Sequence, residues 1–234
     1  PTINHVAETA IAARIAADVA GEAEGALKKL QARTARAELQ TLLSGEADAN
    51  DCYLEVHAGA GGMGQLAIQL AKMRGAEVIV TVGSGEKAEI ARQRGADHAI
   101  LYRDMDFADA VLEITGGLGA DVVYDSVGRD TFLGSLDCLA PMGMGINFGT
   151  AAGQVEPFPL QRLHKKSLRV TRPTLATYIA ARDDLEAASE EVFRVLRDGT
   201  VKVDISRRYA LADTARAHAD LESRNTTGAM ILEP

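Results

Sequence analysis

Residues 53–64 read YLEVHAGAGGMG, a short apolar run followed at once by four glycines, and the next ten residues, QLAIQLAKMR, carry helical spacing. A strand running into a glycine-rich turn that opens a helix has a specific physical use. Gly59 permits a tight turn, Gly61 lets the backbone approach a pyrophosphate, and Gly64 allows close packing of helix on strand. The helix start then presents N–H groups and the positive end of its dipole to an anion.

Outward from this loop the chain alternates. Apolar strands are predicted at Tyr53–His57, Glu77–Val82, His98–Tyr102, Asp121–Asp125 and Gly145–Gly149, with another near Leu168–Thr171. Helices are predicted at Met63–Arg74, Glu86–Arg94, Phe107–Ile114 and Thr131–Leu139. Crossovers of this length imply a parallel sheet covered on both faces, and right-handed connections make it doubly wound. The expected class is therefore α/β with a mostly parallel Rossmann sheet, an N-terminal helical segment and a small α+β tail. The boundaries expected are 1–48 for the helical segment, 49–181 for the nucleotide-binding domain and 182–234 for the tail. In the first segment Ala7, Ile11, Ile15 and Val19 form one apolar stripe before Gly21, and Leu27, Leu30, Leu39, Leu42 and Leu43 suggest a second helix ending at Ser44-Gly45. The tail reads as helix Asp183–Arg197, strand Val201–Tyr209, helix Asp213–Arg224 and strand Ala229–Leu232.

The strand ends hold the other candidate contacts. An NAD site offers an acid at the tip of its second strand to hold the ribose 2′-hydroxyl. Here the tip runs Val82-Gly83-Ser84-Gly85-Glu86-Lys87, with no acid at the strand end itself. Ser84 and Lys87 suit a 2′-phosphate and favour NADPH, although Lys87 also fits a solvated helix residue paired with nearby glutamates. Tyr102, Ser126-Val127 and Phe148-Gly149 end later strands, on the rim where open α/β sheets bind ligands. With Gly61, Gly62, Met63, Gly64 and Gly83 they line one crevice.

Composition narrows the remaining classes. In 234 residues, 25 Lys and Arg face 33 Asp and Glu, a net charge of −8, which argues against nucleic acid as the main partner. Cys52 and Cys138 form neither a disulfide framework nor a zinc cluster and suit reduced core positions in a cytoplasmic protein. His5, His57, His98, His164 and His218 lack ligand spacing, so no metal is expected, and His57 reads as a satisfied core histidine rather than a base. No apolar run approaches a membrane span. Pro1 in place of Met leaves room for an upstream piece.

These stretches also carry a resemblance. HAGAGGMGQLAIQLAK, GAEVIVTVGSGEKAEIARQRGADHAI, LYRDMDF, VVYDSVGRDTF, SLDCLAPMG, INFGTAAG, KKSLRVTRPTL and LESRNTTGAMILEP are similar to the zinc-independent quinone oxidoreductases of the medium-chain dehydrogenase/reductase superfamily, over about residues 57 to 234. The resemblance implies transfer of reducing equivalents from NADPH to a quinone or enone without metal. It places NADPH contacts on Gly61, Gly62, Gly64, Ser84, Lys87, Tyr102, Phe148, Gly149 and Arg224, and a homodimer on the last Rossmann strand near Ser167–Thr171. One departure is large: the family sets a longer, β-rich catalytic domain before the Rossmann unit, where this chain reads as helix. Most of that domain is therefore expected to be lacking, with the tail strands left without their usual sheet partners. GEAEGALKKLQARTARAELQTLLSGEADANDCYLEVHAGAGG instead resembles the central part of a bacterial class 2 peptide-chain release factor, without that family's stop-codon-reading or glycine-glycine-glutamine motifs. The two resemblances meet inside HAGAGG, so the expectation is a chimera, with a non-catalytic cofactor-binding module as the rival to an enzyme.

Overall fold

The computed structural model describes residues 53–223 and 226–234. The helices expected in residues 1–48, Cys52 and Arg224 lie outside the described residues. A six-stranded parallel sheet runs in the order β3-β2-β1-β4-β5-β6. Its strands are β1 (Tyr53–His57), β2 (Glu77–Val82), β3 (His98–Leu101), β4 (Ala120–Asp125), β5 (Leu139–Asn147) and β6 (Arg169–Thr171). Among them run α1 (Gly62–Met73), α2 (Gly85–Gln93), α3 (Phe107–Ile114), α4 (Phe132–Asp137) and the single turn α5 (Gln161–His164). After β6 come α6 (Leu175–Tyr178), α7 (Arg182–Arg197), β7 (Ile205–Ala210), a 3-10 turn, α8 (Thr214–Glu222) and β8 (Ala229–Glu233).

Helices cover both faces of the sheet, and each face has its own apolar cluster. Val56, Val78, Val80 and Val82 meet Ile68 and Ala71 of α1 and Ala88 and Ala91 of α2. Ile79, Ile100 and Val123 meet Ala108 and Val111 of α3 and Phe132 and Leu136 of α4. Burial on both faces explains why β2 reads EVIVTV, an unbroken β-branched run rather than an alternation. Each fully buried Val or Ile contributes about 1.5–3 kcal/mol of transfer free energy, an upper figure because unfolded chains already hide some surface.

Two strands begin several residues away from the sequence reading, each for a visible reason, and the single turns α5 and α6 have no counterpart in it. β5 begins at Leu139 rather than Gly145, because Pro141 and Gly143, which read as breakers, fall in a register shift against β4. Met142 there adopts a left-handed φ of 64° and donates to the Lys166 carbonyl at 2.6 Å. β7 begins at Ile205 rather than Val201. Val201 N–H donates to the Val195 carbonyl of α7 (2.9 Å), and both backbone groups of Lys202 are held by Gln69 of α1. The backbone of 201–202 is thus committed to helices and cannot join a ladder. β7 and β8 pair with each other in parallel as a separate two-stranded sheet, so the tail strands do have partners.

Candidate cofactor crevice

The loop 58–64 leaves the carboxyl end of β1 where the chain order reverses between β1 and β4, the position at which doubly wound sheets bind ligands. Its tight turn is not made by Gly59. The left-handed residue is Ala58, φ 57°, while Gly59 is needed for space: a Cβ there would stand 2.7 Å from Val80 Cβ. Gly64 is still tighter, since its Cβ would stand 2.3 Å from the Ala58 carbonyl oxygen, which brings α1 directly onto the loop. Gly61 caps α1 in extended conformation without a side-chain bond, and the first turn holds no acid. An uncapped, acid-free helix start suits an anion, because the first N–H groups have no partner within the helix.

The tips of β2 and β3 come together beside this loop. Gly83 lies against Tyr102, whose hydroxyl would be 2.8 Å from a Cβ at Gly83. Ser84 is exposed and caps α2, accepting from Lys87 N–H at 3.4 Å, so its hydroxyl is already partly engaged. Tyr102 is 47% exposed, and its ring is open to a ligand.

The other rim is set by the ends of β4 and β5. Phe148 N–H donates to the Asp125 carbonyl (2.9 Å) and Ala151 N–H to the Ser126 carbonyl (3.1 Å). Gly149 packs so closely that an added Cβ would meet the Ser126 carbonyl at 2.5 Å. Met63 is half-buried at the head of α1, and Val127 is half-buried in the turn after Ser126. The structure therefore gathers Gly61, Gly62, Met63 and Gly64 with Gly83, Ser84, Lys87 and Tyr102, and Ser126 and Val127 with Phe148 and Gly149, at carboxyl ends of the strands. Arg224 lies outside the described residues.

Sequence reasoning missed what shapes this rim. Asp125, 1% exposed, accepts from Val127 N–H and Gly128 N–H (2.8 Å each) and from the Thr131 hydroxyl, which bends the chain after β4. The pattern Asp-Ser-Val-Gly at a strand end was the available signal, since Asp side chains cap turns two and three residues on. A buried polar chain continues beneath it. Ser135 Oγ donates to Asp125 Oδ2 (3.1 Å) and lies 2.9 Å from His57 Nε2, while His57 Nδ1 lies 2.7 Å from Thr81 Oγ1. His57 is therefore a bonded core histidine, packed edge-on to Phe107.

Glu55 stands apart among the described residues. It is fully buried, and no well-formed hydrogen bond reaches either carboxyl oxygen, although His57 Nδ1 is 3.2 Å away. Burial raises its pKa well above the ordinary 4.5, the nearby Asp125 charge adds to this, and the Thr81 hydroxyl opposes it. Burial likewise lowers His57 from 6.5 to about 4, against the pull of Asp125. Both shifts act in the same sense, favouring the neutral form of the acid and of the imidazole at this close approach. Among the described residues, no group of three or more His, Cys, Asp or Glu side chains is placed to hold a metal, and no helix is long and apolar enough to cross a membrane.

A parallel sheet in this order, with a glycine loop at its switch point, defines an α/β protein of the Rossmann type. A family model described as zinc-binding dehydrogenase matches residues 62–194, and the chain belongs to that family. A second model, the PCRF domain, matches residues 3–74. Quinone oxidoreductase of Pseudomonas aeruginosa is 48% identical over 179 residues, which are 76% of this chain and 55% of that protein. A 2-haloacrylate reductase of a Burkholderia species is 42% identical, over 78% of this chain and 55% of that one. The crystal structure of Escherichia coli quinone oxidoreductase complexed with NADPH superposes with a TM-score of 0.76 at 46% identity, covering 79% of this chain and 57% of that chain. The chain thus spans about half the length of the curated relatives it matches.

Proposed function

We propose that this chain binds NADPH across the β1/β4 switch point and is an oxidoreductase of the quinone reductase type. The observation that carries the reading is the uncapped start of α1, with Gly64 packed on the Ala58 carbonyl and Gly83, Ser84 and Tyr102 clustered beside it. The relative solved with NADPH supports the choice of nucleotide. Gly61, Gly62, Met63 and Gly64 would hold the pyrophosphate, Ser84 and Lys87 the 2′-phosphate and Tyr102 the adenosine end. Ser126, Val127, Phe148 and Gly149 would line the nicotinamide side, with Arg224 closing on the phosphates. The cofactor supplies the reducing equivalents, while the protein binds, orients and excludes water. The acceptor is a quinone or enone, reached without metal, and two copies pair through β6 near Ser167–Thr171. A cytoplasmic setting suits such a reaction.

The segments 1–48, 49–181 and 182–234 act as a foreign part, a nucleotide-binding domain and the remnant of a catalytic domain. The second reading is a fused, non-catalytic cofactor-binding module. It is favoured by the PCRF match over 3–74, which runs into the dehydrogenase match at 62. Titration of the purified chain with NADPH and NADH, followed by a quinone reduction assay, separates the two. The chain has no Trp, so cofactor fluorescence reports binding without indole transfer. NADPH binding with weak turnover is the expected result, binding with no turnover supports the module reading, rapid turnover removes it, and absence of NADPH binding refutes both.

A further inference from the structure

Two glutamines one turn apart on α1 tie the Rossmann unit to the tail, Gln69 directly and Gln65 through Arg94. Gln69 Nε2 donates to the Lys202 carbonyl (2.9 Å), and Lys202 N–H donates back to Gln69 Oε1 (2.8 Å). Its side-chain amide pairs with Lys202 as a neighbouring strand would. Gln65, 2% exposed, works in the other direction: its Nε2 donates to the Ala60 carbonyl of the phosphate loop (2.9 Å). Gln65 Oε1 accepts from Arg94 Nε (2.8 Å), and the Arg94 guanidinium stands 3.5 Å from Asp204 Oδ2.

The tail returns to the same point. The Asp204 carbonyl accepts from Ala229 N–H (2.8 Å), and Gly228 N–H donates to the Ala60 carbonyl (3.0 Å), the group Gln65 also holds. Gly228 has φ 61°, and a Cβ there would stand 2.9 Å from the Asp204 carbonyl oxygen. Hydrogen bonds and one ion pair thus close a ring from Ala60 through Gln65, Arg94, Asp204 and Ala229 to Gly228. Apolar packing backs it, with Leu66 of α1 against Val195 of α7 and Val201.

We propose that Gln65 and Gln69 are positioning residues that lock the tail to the phosphate loop, so that the loop is held in its dinucleotide-binding shape by segments 202–204 and 228–229. The proposal rests on the cofactor reading above. The Gln65 side-chain amide reaches the phosphate loop at the Ala60 carbonyl, so the effect of the side chain on binding passes through the loop backbone. Linkage makes the coupling reciprocal: whatever the tail contributes to dinucleotide affinity, the bound dinucleotide returns as protection of the tail.

Hydrogen exchange and NADPH titration on the full chain test it, with Gln65→Met and Gln69→Met, which keep side-chain length and remove the amide. In the free protein, exchange at Lys202, Gly228 and Ala229 is expected to rise roughly tenfold in the variants, while β1, β2 and β4 keep their protection. The NADPH dissociation constant is expected to rise about tenfold in each variant, and NADPH is expected to slow exchange at Gly228 and Ala229 in the parent chain but not in Gln69→Met. Variants that bind NADPH as the parent does, or in which tail exchange is unchanged, overturn the positioning role while leaving the cofactor reading intact. A parent chain that binds no NADPH overturns both. An Arg94→Met chain, cut at the next link of the ring, keeps the test decisive if Gln65→Met does not fold; it is expected to repeat the Gly228 and Ala229 effects with Lys202 unaltered.

Discussion

The six-stranded sheet and the two-stranded tail differ in residues and in surroundings: β2 reads EVIVTV, whereas β7 reads ISRRYA. β2 places Val78, Ile79 and Val80 under helices on both faces, with no exposed surface. β7 leaves Ile205 through Arg208 exposed and buries Tyr209 alone, while β8 is half-covered along Ala229–Leu232. Two strands by themselves are marginal in water. The first sheet is held by its own apolar burial, whereas the second depends on polar bonds to a neighbour: the Gln69–Lys202 clasp, the Gly228–Ala60 contact and the Tyr209–Asp220 bond.

The largest expected break falls at the junction of loop and core. Gly64→Val forces side-chain atoms into the Ala58 carbonyl, which neither β1 nor α1 can yield without losing packing. A cost of about 3 kcal/mol or more is expected, with loss of NADPH binding, read by thermal melting and titration.

Next comes the polar defect inside the core. Glu55→Val removes a buried carboxyl that no hydrogen bond satisfies, and is expected to stabilise the chain by about 2 kcal/mol at neutral pH. Its signature is in the pH profile. A carboxyl raised in the folded state contributes its stability below pH 4.5 and loses it as pH rises through the folded value, so Glu55 should weaken the parent as pH rises above 4.5. His57, lowered from 6.5 to about 4, acts oppositely and costs stability as pH falls through that interval. The two slopes oppose each other where they overlap above pH 4.5. Glu55→Val should therefore remove the part of the stability loss above pH 4.5 that Glu55 causes in a denaturation series; an unchanged profile would show that Glu55 is already satisfied.

A smaller effect is expected at the cofactor tip. Lys87→Glu should weaken NADPH about tenfold, or about 1.4 kcal/mol, and leave NADH nearly unaltered; equal weakening of both would place Lys87 away from the 2′-phosphate. The smallest belongs to the tail. Tyr209→Phe deletes a hydroxyl that donates to Asp220 Oδ2 at 2.7 Å. Exchange in β7 and β8 should rise a few-fold with no shift in the global melting curve; a shift would mean that the tail unfolds together with the main sheet.

Much of the large sheet was legible without coordinates. Strand–helix alternation, the glycine loop and the run Glu77–Val82 report burial and crossover length, which are properties of neighbouring residues. The strand order and the gathering of rim residues follow from that alternation. The tail was less legible, since Val201–Asp204 has the composition of a strand and yet its backbone is held by Val195 and Gln69. Gln65 and Gln69 look like ordinary polar helix residues at i and i+4, and nothing local says which backbone they will meet.

The loop 58–64 shows where the division falls. Its glycines, the strand before it and the helix after it were determined by the sequence alone, because turn chemistry and hydrophobic periodicity act over a few residues. Which residue takes the left-handed turn, Ala58 and not Gly59, was decided by tertiary packing against Val80. So were the burial of Glu55 beside His57 and the clasp of the tail on Ala60. Those depend on groups brought together from distant parts of the chain, and only the closed fold sets their distances.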